Sequence, residues 1–111
     1  MARSLSRGEI WHYHFPKPDK KRPVLVLTRD SIIPYLNEVT IAPVTSVIRG
    51  IPTEVPVGPA EGLARESVVN LDHLQTVAKS RLKTFLGSAS EEKMREIMAA
   101  LLFALGFHEN S

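Results

Sequence analysis

Cysteine is absent from the 111 residues. That removes disulfides, thiolate nucleophiles and thiolate zinc sites together. No apolar run approaches the roughly 20 residues that a membrane span needs. The basic start, Met1 to Arg7, has no apolar stretch of the kind a signal peptide carries. A cytoplasmic protein with no membrane association is therefore expected. Excess charge is also lacking: 14 Lys and Arg stand against 12 Asp and Glu, a formal net charge of +2. What matters is where positive charge collects rather than how much there is. There is no internal repeat and no low-complexity linker. Gly50, Gly58 and Gly62 fit neither a phosphate-binding loop nor a nucleophile elbow. Finally, the last 50 residues or so lack proline: all eight prolines fall between Pro16 and Pro59. Proline disrupts helices and central strands, so short strands and loops are expected first and a helix later.

What is present is 43% hydrophobic and 23% charged, an ordinary globular balance. The length suits one compact domain over 1–111. Glu9 to Phe15 alternates, with Trp11, Tyr13 and Phe15 on one side and Ile10, His12 and His14 on the other, which is a strand with an aromatic face. Pro23 to Thr28 is short and apolar, as a buried strand would be. Further strands are expected over Glu38 to Thr45, Thr53 to Val57, Ser67 to Leu71 and Thr76 to Ala78, with a helical turn within Asp30 to Leu36. Gly50 and the group Gly58, Pro59 and Gly62 mark breaks between them. Strands separated in this way suggest a small barrel or a curved antiparallel sheet. Met94, Ile97, Met98, Leu101, Leu102 and Leu105 then follow helical spacing, predicting a C-terminal amphipathic helix. Ser90 suits its N-cap, Glu91 and Glu92 its first turn, and Gly106 its end. That stripe is expected to pack on the sheet or against another subunit.

Candidate chemistry lies in the loops. Lys17 to Arg22 holds four cations in six residues and joins two expected strands. It reads as a phosphate clamp, as a solvated hairpin loop or as a localisation signal. Arg22 precedes Pro23, which confines it to extended conformations, and its planar guanidinium matches phosphate oxygens. Thr45 ends a strand, and Ser46 and Arg49 add a hydroxyl and a charge before Gly50. Such a cluster is a plausible anion site, though a threonine there also serves as a β-former or turn residue. His12 and His14 lie on one face, a spacing open to metal binding or acid–base work, with Asp72 and His73 as further ligands. No third ligand has diagnostic spacing, and polar residues on the solvent side of a strand is the simpler account.

One ordered set of short motifs remains: Arg7-Gly-Glu-Ile-Trp11, Arg22-Pro-Val-Leu-Val26, Ala42-Pro-Val-Thr45, Pro52-Thr-Glu-Val55, and Glu66-Ser-Val-Val69 followed by Asp72-His73. Over Arg7 to about Gly106 this order resembles the MazF/PemK family of toxin ribonucleases. The resemblance implies a mainly β, α+β fold: a small SH3-like antiparallel barrel with a C-terminal helix, working as a homodimer. It implies a sequence-specific, metal-independent endoribonuclease acting on single-stranded RNA, with no cofactor. Products would be a 2′,3′-cyclic phosphate and a 5′-OH end. Arg22 and Thr45 would be the catalytic pair, with Lys20, Lys21, Ser46, Arg49, Asp72 and His73 as RNA contacts. The expected partner is an antitoxin with a flexible acidic segment lying over the RNA groove. The fold is similar to that of the gyrase-poisoning CcdB proteins, so two alternatives stand beside the first reading. One is a gyrase-targeting toxin with determinants near Phe103 to Ser111. The other is a non-catalytic RNA-binding barrel. The chain departs from the family where the loop before Arg22 reads K-P-D-K-K in place of G-S-E-Q-G. It departs again at His73, where Gln is common.

Overall fold

In the computed structural model, which describes residues 4–15 and 20–107, the alternating and apolar segments before the helix become strands. These are β1 (Glu9–His14), β2 (Lys21–Val26), β3 (Glu38–Thr45), β4 (Glu54–Val57), β5 (Ser67–Asn70) and β6 (Gln75–Ala78). A further strand, β7 (Leu82–Ser88), precedes the helix α1 (Glu91–Ala104). Hydrogen bonds join them in the order β4-β5-β3-β2-β1-β7, with β6 pairing β3 off that path, a sheet of seven strands among the described residues. Every pairing is antiparallel. The long strand β3 meets β2 on one side and both β5 and β6 along its length. One strand with three partners curls the sheet into a half-barrel. This is the expected fold class.

Strand β7 was not foreseen. Leu82-Lys-Thr-Phe-Leu-Gly-Ser88 has no clean alternation, and its partner is remote in sequence. It forms because β1 has a free edge, and it pairs there with register shifts at Ile10/Trp11 and His12/Tyr13. Such bulges bend an edge strand and add twist. The two ends of the sheet then meet through backbone. A Cβ on Gly62 would overlap the Leu86 carbonyl, and one on Gly87 would overlap the Glu61 carbonyl. Only glycine at both places lets the turn after β4 lie flat against β7. Glu61 fixes that turn by accepting the Gly58 N–H at 2.6 Å.

Successive strand residues point to opposite faces, and here both faces are covered. Ile10, Leu25, Ala42, Val44 and Val69 pack beneath α1 with Ile97 and Ala100. Trp11, Tyr13, Val24, Val26, Val39 and Ile41 form a second cluster on the other face. This corrects the expected exposure of the second face of β1. Ile10 is fully buried, and His12 and His14 are half-buried rather than on a solvent side. The opening motif is structural. The Glu9 carboxylate accepts from Ser6 N and from Trp11 Nε1, each at 3.0 Å, and Arg7 Nε donates to the Leu27 carbonyl at 2.8 Å.

The helix begins as expected, with Ser90 Oγ accepting the Lys93 N–H at 3.0 Å, and Gly106 follows it with φ +83°. Its packing differs from the six-residue stripe. Ile97 is buried and Met94 and Leu101 pack on the core, but Met98 is 55% and Leu105 53% exposed. Ala100 and Ala104 take the inner positions instead, because small residues let the helix approach the sheet closely. Phe103 and Phe107 are also exposed. Replacing Ser90 by Ala should lower the unfolding free energy by about 1 kcal/mol. Urea titration of the two proteins would show the change as a shifted midpoint with an unchanged slope.

Candidate functional site

Register brings the sequence candidates together. Strand β2 pairs β3 with Val24 opposite Pro43 and Leu25 opposite Ala42. Continued outward, that register sets Arg22 level with Thr45, at the open ends of both strands. A cleft of about 640 Å³ lies there, bordered by Arg22, Thr45, Lys20, Lys21 and Ser46. Its far side is Arg65 and Ser67, and its floor is His12, Pro23, Val44, Leu63 and Leu86. The arrangement is a polar, cationic rim above an apolar base. Arg22 is exposed and Thr45 half-buried. Thr45 Oγ1 accepts the Val47 N–H at 3.1 Å, which fixes the side chain while leaving its own O–H free to donate.

The loop after β3 is pinned by Glu54, which sequence reasoning had not singled out. Its buried carboxylate accepts from Arg49 N at 2.9 Å and from Gly50 N at 3.0 Å. The Arg49 side chain is exposed and does not border the cleft. Asp72 and His73 sit in the turn after β5, also outside it. Asp72 Oδ2 accepts from Thr53 Oγ1 at 2.6 Å, and Asn70 Nδ2 lies 3.3 Å from His73 Nδ1. Of the basic loop, Lys20 to Arg22 reach the cleft, while residues 16–19, including Lys17, lie outside the described residues. Among the described residues no three His, Asp or Glu side chains come together as a metal-binding group. Asp72 and His73 therefore do not join His12 and His14.

Three cleft residues were not foreseen in this role. Arg65 belongs to the turn that the Gly62–Gly87 contact folds back, and no local pattern marks it; Ser67 opens β5 and lies in the Glu66-Ser-Val-Val69 motif, which gave it no role of its own. His12 had been considered only for metal or acid–base work. In the fold it shares a face with Pro23, its cross-strand partner, and with Lys21 one pair along. Burial first, and then the nearby charges of Lys21 and His14, lower its pKa from 6.5. The imidazole is therefore neutral at pH 7. The unfolded chain takes up this proton at about pH 6.5, and the native state does so only at lower pH. Below pH 6.5 the unfolded state binds more protons, so stability should fall as the solution is acidified. Urea unfolding at pH 7.5 and 5.5 should show that loss in the wild-type protein and less of it in His12→Gln.

A larger hollow of about 1890 Å³ occupies the opposite face, bordered by Trp11, Val39, Tyr35 and Phe85. It contains neither Arg22 nor Thr45, and its Lys79 ammonium is already bound to the Ile33 carbonyl at 2.8 Å. Size alone does not make a site: Arg29 and Lys83 also border the hollow, but the smaller cleft is the one that brings Arg22, Lys20 and Lys21 together with the Thr45 hydroxyl. A guanidinium and an O–H in one cleft can stabilise charge on phosphoryl oxygens. The surrounding lysines can hold neighbouring phosphates.

Comparison with known proteins gives the family and the fold. Residues 6–105 match the family described as PemK-like, MazF-like toxin of type II toxin-antitoxin system. Endoribonuclease MazF3 of Mycobacterium tuberculosis is 50% identical over 64 residues, which cover 58% of this chain and 62% of that protein. The matched stretch thus spans less than two thirds of that relative's length. Probable endoribonuclease MazF5 of the same organism is 39% identical over 106 residues, 95% of this chain and 96% of that one. Among solved structures, the Mycobacterium tuberculosis toxin MazF-mt6 aligns with a TM-score of 0.82 at 36% identity, over 88% of this chain and 96% of that one. A mycobacterial endoribonuclease in complex with its cognate antitoxin aligns at 0.84 with 28% identity, over 95% and 98% of the two chains.

Proposed function

The chain belongs to the PemK-like, MazF-like toxin family of type II toxin-antitoxin systems, and from that premise we propose that it is an endoribonuclease cutting single-stranded RNA with Arg22 and Thr45. The observation that carries this reading is that both residues border one cation-rimmed cleft. In the reaction, the ribose 2′-OH loses its proton and its oxygen attacks the adjacent phosphorus. The bond to the 5′-oxygen breaks, and that oxygen gains a proton. The products are a 2′,3′-cyclic phosphate and a 5′-OH end, and no metal takes part. Negative charge gathers on the phosphoryl oxygens in the transition state. The Arg22 guanidinium and the Thr45 hydroxyl donate to them, and a preplaced donor of this kind is worth about 3–4 kcal/mol. Holding the 2′-OH in line with the leaving oxygen supplies much of the remaining acceleration.

Single-stranded RNA suits this site because its bases can turn away from one another and be read, whereas an A-form duplex hides its major-groove edges. Lys20, Lys21 and Ser46 meet the strand at the cleft. Arg49, Asp72 and His73 would contact it further along, on the loop and turn beyond. The working form is a homodimer. Exposed Met98, Phe103, Leu105 and Phe107 on and after α1 supply an apolar surface that a second copy would cover. An antitoxin with an acidic flexible segment is the fitting inhibitor, since acidic side chains can occupy a cationic cleft in place of phosphates. The relative solved with its cognate antitoxin supports that reading.

Incubation with EDTA on a long single-stranded RNA, and on DNA of the same sequence, tests the proposal. Discrete RNA cuts ending in 2′,3′-cyclic phosphate, with the DNA intact, are expected. Uncut RNA across substrates that sample many short motifs would overturn it in favour of a binding protein.

A further inference from the structure

Beyond its rim, the cleft has an apolar floor that phosphate binding does not use. Pro23, Val44, Leu63 and Leu86 line it together with His12, whose cross-strand partner is Pro23. Resting on the ribonuclease reading, we propose that this floor is a slot for one nucleobase of the RNA, and that His12 reads the base as a neutral hydrogen-bond donor.

The two ring nitrogens are not equivalent. Nδ1 is buried and has no hydrogen-bond partner among the described residues. A proton on Nδ1 would be a buried, unpaired donor, and such donors are the costlier and rarer kind of unsatisfied group. The favoured tautomer therefore keeps its proton on Nε2, the nitrogen a ligand can meet, and leaves a lone pair on Nδ1. Forming imidazolium would place a second N–H at the closed Nδ1 position. Lys21 on β2 and His14 on β1 oppose it as well, and the other cations bordering the cleft are Lys20, Arg22 and Arg65. No carboxylate borders the cleft among the described residues. The lowered pKa of the ring follows from the same surroundings. These facts make His12 unsuited to accept the 2′-OH proton and suited to donate.

What a neutral donor above apolar walls recognises is a flat heterocycle with an acceptor on its edge, a carbonyl oxygen or a ring nitrogen. The cations at the rim hold the sugar–phosphate chain, so a base turned inward from that chain reaches the floor. Strand alternation sets His12 apart from Arg22. His12 lies with Pro23 and Lys21 on one face, and Arg22 lies with Tyr13 on the other. A base-reading residue and a phosphate-binding residue thus meet at the edge of one cleft from opposite faces of the sheet.

A randomised single-stranded RNA library, cut by wild type, His12→Phe and His12→Gln and sequenced at the cut sites, tests this. In His12→Phe the preference at one position of the motif should fall about tenfold, the value of a lost hydrogen bond in a closed site. His12→Gln, whose amide can still donate, should keep part of it. An unchanged motif in His12→Phe would overturn the proposal. So would loss of cutting at every motif together with loss of the acid limb of the pH–rate profile, which would make His12 a proton carrier. Imidazole ¹⁵N shifts of the wild-type protein at pH 7 give a readout free of any folding defect. The Nε2–H tautomer is expected, and the Nδ1–H tautomer would overturn the proposal. Wild-type protein that cuts no RNA would instead remove the ribonuclease reading on which this inference rests.

Discussion

Arg22→Ala is expected to reduce RNA cleavage about 100- to 1000-fold, the loss that follows removal of one preplaced donor from a site of developing negative charge. Its unfolding midpoint should stay close to that of the wild type. The side chain is exposed, precedes Pro23 at the start of a strand, and fills no part of either core. Stability and activity therefore separate at this residue. Arg22→Lys should fall between the two, because an ammonium keeps the charge but not the fork that spans two phosphoryl oxygens. Thr45→Val should also lose activity by removing the O–H, whereas Thr45→Ser keeps a donor. Single-turnover cleavage of one mapped oligonucleotide, alongside thermal melts, gives both quantities. An Arg22→Ala protein that cuts at the wild-type rate would place the chemistry elsewhere.

The largest stability loss should come from a single methyl group. Gly62 has φ +91°, a conformation that side chains resist, and its Cβ would overlap the Leu86 carbonyl. The left-handed backbone costs an alanine about 1–2 kcal/mol, and overpacking typically adds about 1–3 kcal/mol. Gly62→Ala should therefore lower the melting temperature by about 10 °C or more in a domain of this size. Gly50→Ala is the control. Its φ is +73°, but nothing lies within 4 Å of the added Cβ, so only the conformational part applies. Equal melting temperatures for the two variants would mean that the turn after β4 does not press on β7 as described. Because that turn carries Arg65, Gly62→Ala should also weaken RNA binding in the fraction that remains folded.

Strands β1 to β6 were legible because alternation and short apolar runs are local signals, and β3 ran over the span its residues indicated. The helix was legible in its cap and its end, but only in part in its packing. Periodicity gives the direction of a stripe. It does not tell how deeply each member sinks, and here Ala100 is buried where Met98 and Leu105 are not. Strand β7 escaped because an edge strand is held by its partner's free hydrogen-bonding groups, and those leave no mark in its own side chains.

The site divides in the same way. Arg22 and Thr45 stood out through the motifs around them, and the cation cluster through its composition. In the far wall, Ser67 is set by the pairing of β5 with β4, and Arg65 depends on a glycine-to-glycine backbone contact between segments about 25 residues apart. Glu54 looked like an ordinary strand residue until the loop amides of Arg49 and Gly50 turned toward it. His12 was placed on the solvent side because β1 taken alone has an aromatic face and a mixed one. The sequence by itself determined the fold class, the family, the helix cap and the pair at the cleft mouth, all of which rest on neighbouring residues or on ordered motifs. Only the tertiary structure decided that the mixed face of β1 is covered and that a neutral histidine lies at the base of the cleft. Burial and the surroundings of a side chain are set by what folds over it, and those segments are distant in the chain.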